Sequence, residues 1–187
     1  NGLQAYRLQG DALQAEGAAI IPNSPRYDYF YRMQYVGERL LVAGGAHEYT
    51  GNTYAGTASF YENETWTNLD TVMIGKEQYN NITGIAQHPT DPNRHYVSSM
   101  GHGVYVYDGG HLTERYNHTN SGLKTILPDI TNAYDYVRVN APTFDSNGNL
   151  WMLNCEVDSS LVCFTADGKW RSYLFPSIKG TRWTGGI

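Results

Sequence analysis

The chain has 187 residues, of which 17% are charged, and its formal net charge is −5. This length allows one domain with a sizeable hydrophobic core. The chain is acidic overall and contains no stripe of basic residues, so we expect no nucleic-acid partner. No run of about 18 apolar residues occurs, so we expect no membrane-spanning segment in this chain. The chain begins at Asn1 rather than at Met, so we expect any export signal or lipid anchor to lie outside this sequence.

Two kinds of strand pair alternate along the chain. The first kind has a strand, a polar turn and an apolar or aromatic residue that opens the next strand. The second kind has two apolar strands joined by a turn. Copies of the first kind begin at Gly2, Gly56, Gly103 and Ser160, and copies of the second begin at Met33, Ile85 and Pro142. One pair of each kind gives four strands in about 50 residues, which is the size of a propeller blade.

The residue types within these segments support β-structure. The 16 tyrosines and 20 glycines suit half-buried strands joined by tight turns. The segment 104–107 alternates valine with tyrosine, which is the period-2 pattern of a strand with two different faces. Asn147-Gly148 and Asp167-Gly168 predict two-residue hairpin turns with φ above zero at both positions. The sequence therefore predicts an all-β fold.

The repeat predicts a partial β-propeller of about three and a half four-stranded antiparallel blades, a fragment of a larger, seven-bladed propeller. We expect one partial propeller domain over residues 1–187. Its predicted parts are an outer hairpin of a preceding blade at 2–14, blades at 26–70, 81–117 and 136–176, and the start of a next blade at 181–187. Because closure is what protects strand edges, open blade edges would allow self-association of two copies.

The third repeat resembles a known propeller family. Its residues Phe144-Asp-Ser-Asn-Gly-Asn-Leu-Trp151, followed by Asp167-Gly-Lys-Trp170, are similar to the two-component-regulator propeller repeat. That repeat occurs in the periplasmic sensors of hybrid histidine kinases. The resemblance therefore implies, as one hypothesis, a periplasmic propeller that senses a glycan ligand.

More of the chain resembles the N-terminal propellers of PorZ-like proteins of the type IX secretion system. The similar segments cover most of residues 20–176, and they include Pro22-Asn-Ser-Pro25, Phe30 to Gly45, Gly101-His-Gly-Val-Tyr105, Asn117 to Leu123 and Tyr136-Val-Arg-Val139. This resemblance implies an exported, non-enzymatic protein at the cell surface, outer membrane or periplasm of a Bacteroidetes-type bacterium. It implies protein subunits or a cell-surface glycan, lipopolysaccharide included, as partners.

Metal binding and catalysis find little support in the residue patterns. The spacing from Asp145 to Glu156 imitates the calcium loop of an EF-hand. However, Leu150 stands where that loop needs glycine, so we interpret the segment as a hairpin turn with Asx hydrogen bonds. The six histidines form no metal-ligand spacing, and there is no nucleophile elbow or phosphate-binding loop. We expect no metal, no cofactor and no catalytic residues.

The two cysteines, Cys155 and Cys163, flank a predicted turn at residues 157–160. A disulfide across the two strands is geometrically possible. The other interpretation, which we favour, is a pair of small buried hydrophobic residues.

Tyrosines in the long connections are the candidate ligand-binding residues, because connections carry function more often than strands do. A tyrosine supplies a rigid surface with a polar tip, which suits a sugar or a partner subunit. The candidates are Tyr29, Tyr49, Tyr54 and Tyr134. The leading hypothesis is a non-enzymatic binding or scaffold module of a surface secretion or attachment complex. The alternatives are the glycan sensor of a hybrid regulator and, ranked third, a glycan-active enzyme.

Overall fold

The computed structural model describes residues 3–45, 54–69, 71, 79–129 and 136–178. These residues form fourteen β-strands and one short 3-10 turn at Pro176–Ile178, with no α-helix among them. Every pairing between strands is antiparallel, which confirms the all-β prediction. In the part of the chain that is described, no helix has the length and apolar character needed to cross a bilayer.

The strands form one two-stranded hairpin, one four-stranded sheet and one eight-stranded sheet, and the eight-stranded sheet consists of two four-stranded blades that are hydrogen-bonded to each other. The N-terminal hairpin contains β1 (Leu3–Gln9) and β2 (Ala12–Ile20). The first blade contains β3 (Arg32–Val36), β4 (Arg39–Gly44), β5 (Thr57–Glu62) and β6 (Thr65–Asn68). The second blade contains β7 (Ile82–Gln87), β8 (Arg94–Gly101), β9 (Gly103–Asp108) and β10 (His111–Tyr116). The third blade contains β11 (Val137–Phe144), β12 (Leu150–Asn154), β13 (Leu161–Phe164) and β14 (Trp170–Tyr173).

This arrangement is that of a partial β-propeller, as the repeat predicts. The second and third blades are joined by antiparallel pairing of β8 with β11, where Val137 pairs with Gly101 and Arg138 with Met100. The predicted segments 26–70, 81–117 and 136–176 each contain one of the observed blades. The N-terminal hairpin continues past residue 14, because β2 runs to Ile20. The domain boundaries stay a prediction, and residues 181–187 lie outside the described residues.

Three buried hydrophobic clusters are present among the described residues, and the two largest lie between consecutive blades. The first core packs Leu41 and Ala58 of the first blade against Val97 and Tyr105 of the second. The second core packs Tyr96, Val104 and Val106 of the second blade against Val139, Leu150 and Val162 of the third. Strand β9 therefore sends its tyrosines to one core and its valines to the other, as the alternation predicts. Burial of each such side chain contributes about 1.5–3 kcal/mol.

The turns of the third blade differ from the predicted two-residue type. Gly148 and Gly168 have φ values of 78° and 79°, but Asn147 and Asp167 do not have positive φ. The Gly148 amide donates to the Asp145 carbonyl at 3.1 Å. The loop is therefore a type I turn followed by a left-handed glycine. The two-residue prediction is wrong because the Asp145 carboxylate accepts the Asn147 amide at 2.9 Å, which stabilises the longer turn.

Candidate binding site

Three tyrosines lie together at the entrance to the first blade, and we call them the tyrosine cluster: Tyr27, Tyr29 and Tyr54. The rings of Tyr27 and Tyr29 are stacked, with centroids 5.1 Å apart and an interplanar angle of 11°. The Tyr54 ring is tilted by 58° against Tyr29, with the centroids 5.8 Å apart. All three side chains are half-buried, and the neighbouring Asp28 is exposed. The cluster is therefore a partly open aromatic surface with a carboxylate beside it.

Two glycines allow the backbone approach that positions this cluster. A Cβ on Gly44 would lie 1.9 Å from the Tyr29 carbonyl oxygen, so only glycine fits where β4 meets the incoming segment. Gly45 has a φ of +110°, and a Cβ there would lie 2.9 Å from the Ala55 carbonyl oxygen. That same Ala55 oxygen accepts a hydrogen bond from the Tyr29 hydroxyl at 2.9 Å. The stacked pair is thereby fixed to the segment that carries Tyr54.

The segment before the cluster is anchored along the edge of β6. The Asn23 side chain accepts the Trp66 amide at 2.6 Å and donates to the Trp66 carbonyl at 3.1 Å. The Arg26 amide donates to the Asn68 side chain at 2.7 Å, and its guanidinium donates to the Leu69 carbonyl at 3.1 Å. These bonds use polar groups that an open edge strand would leave unpaired. The segment that leads into the tyrosine cluster is therefore fixed to β6 and to the residue that follows it.

The Tyr29 phenol acts as a neutral hydrogen-bonding group. Burial raises the pKa of Tyr29, and the neighbouring Tyr27 and Asp28 raise it further. A phenol with a raised pKa stays protonated at neutral pH, so it donates and accepts hydrogen bonds but is no base. The arrangement supplies ring faces for apolar contact and polar atoms at their rims. Such a combination suits binding of a sugar ring or of a partner's polar surface.

The structure brings together two of the four predicted ligand-binding residues. Tyr29 and Tyr54 are in contact, although they belong to connections before different strands. Tyr49 and Tyr134 lie outside the described residues. Tyr27 is also a tyrosine of a connection, but it was not among the four candidates chosen from the sequence. Its position two residues before Tyr29 was the available signal, because alternate residues of an extended segment point the same way.

The segment from Asp145 to Glu156 forms a hairpin turn with Asx hydrogen bonds, as interpreted from the sequence. The Asp145 carboxylate accepts the amides of Asn147 and Asn149, and it also accepts the Trp151 indole N–H at 2.9 Å. These bonds, with the indole contribution largest, lower the pKa of Asp145 to about 2. The Glu156 carboxylate pairs with the Arg138 guanidinium instead of joining Asp145. The twelve-residue spacing therefore does not build a calcium loop.

Other potential ligands of a metal ion are dispersed. Among the described residues, no group of three or more His, Cys, Asp and Glu side chains is placed to hold a metal ion. His95 stacks on Phe60 at 5.3 Å, whereas His88 contacts Phe144 of the third blade edge-on at 5.3 Å. Cys155 and Cys163 are both buried and are not joined by a disulfide, in line with the favoured interpretation of small hydrophobic residues. Burial raises the pKa of Cys163, which keeps its thiol protonated.

Comparison with known proteins identifies a similar fold. No family model and no curated protein matches the sequence. One solved structure that matches is that of PorZ, described as an essential bacterial surface component of the type IX secretion system of Porphyromonas gingivalis. It aligns with a TM-score of 0.75 and 25% sequence identity, and the alignment covers 91% of this chain. The chain resembles PorZ in fold.

The likeness extends over a small part of PorZ. The chain spans 23% of the length of the PorZ chain that it matches. The comparison therefore supports the PorZ-like fold predicted from the sequence segments. The resemblance of the third blade to the two-component-regulator repeat stays a prediction, because no family model matches.

Proposed function

We propose that this chain is a non-enzymatic binding and scaffold module of an exported bacterial surface protein, acting in type IX secretion or attachment. The observation that carries the proposal is the likeness to PorZ over 91% of the chain at a TM-score of 0.75. The residues described in the structure add a partly open aromatic surface, the tyrosine cluster, which suits a binding role. A glycan-binding surface would serve the sensor hypothesis equally, so the likeness to PorZ is what ranks the secretion role first.

In this proposal the tyrosine cluster is the contact surface for a cell-surface glycan, such as the sugar portion of lipopolysaccharide. The stacked Tyr27 and Tyr29 present one ring face, and Tyr54 presents a second at an angle of 58° to Tyr29. The Tyr29 hydroxyl is bonded to the Ala55 carbonyl, and the Tyr29 backbone lies close against Gly44. Because the segment that carries Tyr29 is already held in place, binding would require little ordering of these side chains. Protein subunits of the secretion complex are the other proposed partners.

The secretion role is tested in the source bacterium with the full-length protein. We expect that deleting the gene causes type IX cargo to remain inside the cell, and that the wild-type gene restores release. We also expect the protein to be accessible to an externally added protease on intact cells. Unchanged cargo release after deletion, together with a lost transcriptional response to glycan, would instead establish the sensor hypothesis.

The tyrosine cluster is tested by the double substitution Tyr29→Ala and Tyr54→Ala. We expect affinity for lipopolysaccharide purified from the source bacterium to fall about tenfold or more, because loss of two ring contacts removes about 1.4 kcal/mol or more of binding energy. The measurement is biolayer interferometry with the immobilised chain. Unchanged affinity would exclude the cluster as the glycan site without bearing on the secretion role.

Tyr173→Ala is the matched control for that experiment. Tyr173 is 39% exposed, and its ring stacks on Trp151 with centroids 5.6 Å apart. It is thus a stacked surface tyrosine in the third blade, away from the cluster. We expect its replacement to leave lipopolysaccharide affinity unchanged. A loss equal to that of the double variant would mean that binding follows the number of exposed tyrosines and not their arrangement.

A further inference from the structure

Strand β6 is the last strand of the first blade's sheet, where it pairs with β5. Its residues Thr65–Asn68 carry no charge, three of the four favour strands, and the register with β5 is continuous. The corresponding strand β10 of the second blade carries charges and has a register shift between Leu112 and Glu114. Such features keep an edge strand from pairing with another chain, and β6 has neither of them. Its edge is covered instead by residues 22–26, which we call the edge segment.

Two asparagine side chains fix the edge segment to β6. The Asn23 carboxamide has donor and acceptor groups, as a peptide group has, and it uses both kinds on one residue of the strand. It accepts the Trp66 amide at 2.6 Å and donates to the Trp66 carbonyl at 3.1 Å. In return, the Asn68 side chain donates to the Ser24 carbonyl at 2.9 Å and accepts the Arg26 amide at 2.7 Å. The Asn23 side chain thus occupies backbone groups that a fifth strand would bond.

The edge segment does not create a new edge of its own. Pro22 and Pro25 stand on either side of Asn23 and Ser24, and proline has no amide hydrogen to donate. The Arg26 amide is already bonded to the Asn68 side chain. A further strand laid against the edge segment therefore lacks the donors for a regular ladder, and the sheet ends there.

We propose that the Pro22-Asn-Ser-Pro25 motif is an edge cap, which prevents a second copy of this chain from adding a strand to β6. The excluded partner is a second copy because two uncovered β6 strands can pair with each other around a two-fold axis. Main-chain hydrogen bonds alone drive such strand addition, and the free Trp66 backbone groups would supply them. This role is separate from the proposed binding function and stands or falls without it.

The test is the substitution Asn23→Ala in the whole chain, which removes both bonds to Trp66. We expect the self-association constant, measured by light scattering over a range of concentrations, to rise about tenfold or more above wild type, because those two bonds no longer compete with pairing. The Trp66 amide should also exchange its hydrogen faster in dilute solution, and it should regain protection as the concentration rises.

Asn120→Ala is the matched control. The Asn120 side chain likewise makes two bonds to the backbone, accepting the Asn117 amide at 2.9 Å and donating to the Arg115 carbonyl at 2.8 Å. It lies in the connection after β10, a strand that keeps its charges and its register shift without this side chain. We expect this variant to associate no more than wild type does.

A second substitution locates the contact. Thr67 is an exposed residue of β6, and Thr67→Lys added to Asn23→Ala places like charges on two approaching β6 strands. We expect it to abolish the additional association. Association that persists in this double variant would place the contact elsewhere and overturn the proposal. Faster exchange of the Trp66 amide in Asn23→Ala without increased association would also overturn it, because Asn23 would then only hold its own segment in place.

Discussion

Replacing Gly103 with alanine should destabilise the chain by about 3 to 5 kcal/mol. Gly103 opens β9 with a φ of +80°, a conformation that costs an L-residue about 1–2 kcal/mol. In addition, the new Cβ would lie 2.1 Å from the Tyr116 carbonyl oxygen. That oxygen is part of the backbone of β10, so no side-chain rotation can relieve the clash. The strand pairing of β9 with β10 would have to shift.

Gly168→Ala is the matched control for this prediction. Gly168 has nearly the same φ, +79°, but nothing lies within 4 Å of the position that its Cβ would take. We therefore expect only the conformational cost, about 1 kcal/mol. Urea unfolding followed by circular dichroism measures both variants. If the two substitutions lowered the free energy of unfolding equally, the predicted clash between residue 103 and the Tyr116 carbonyl would not contribute to the loss of stability.

The sequence was sufficient to predict the blades because two local signals repeat in register. Alternation of residue types marks which side chains face each core, as in β9, and turn residues mark where strands reverse. It was not sufficient for every turn. Asn63 and Glu64 join β5 to β6 with φ values of 49° and 59°, although no glycine signals a left-handed turn there. Strand pairing on both sides imposes this conformation.

The candidate site was only partly predictable, since its members meet through long-range pairing. Tyr29 and Tyr54 are brought together because β4 pairs with β5, which no local pattern specifies. The anchor at Arg26 was missed, because its partners at Asn68 and Leu69 lie more than 40 residues away in sequence. A side chain that supports a site through distant backbone groups leaves no mark in the sequence around it.

Stability should fall in mild acid, and His95 should account for about 3 kcal/mol of the loss. His95 is 1% exposed and lies against Phe60, whose ring also carries the Arg39 guanidinium at 4.6 Å. Burial lowers the pKa of His95 to about 4, with Arg39 acting in the same direction, while the Asn93 carbonyl and Asp91 oppose the shift. Below pH 6.5 the unfolded chain binds a proton that the folded chain excludes. Folding is therefore weakened progressively as pH falls from 6.5 to 4.

His95→Phe isolates this contribution, because phenylalanine keeps the stack on Phe60 and cannot take a proton. The substitution removes little hydrogen bonding: Nε2 has no partner, and the Asn93 carbonyl still accepts the Gly109 amide at 3.1 Å. We expect the free energy of unfolding of wild type to decline relative to the variant between pH 6.5 and 4. Replacing the exposed His111 with phenylalanine should leave the decline as in wild type. Parallel curves for wild type and His95→Phe would show that His95 is protonated in the folded chain, so that the contact between the first and second blades tolerates its charge.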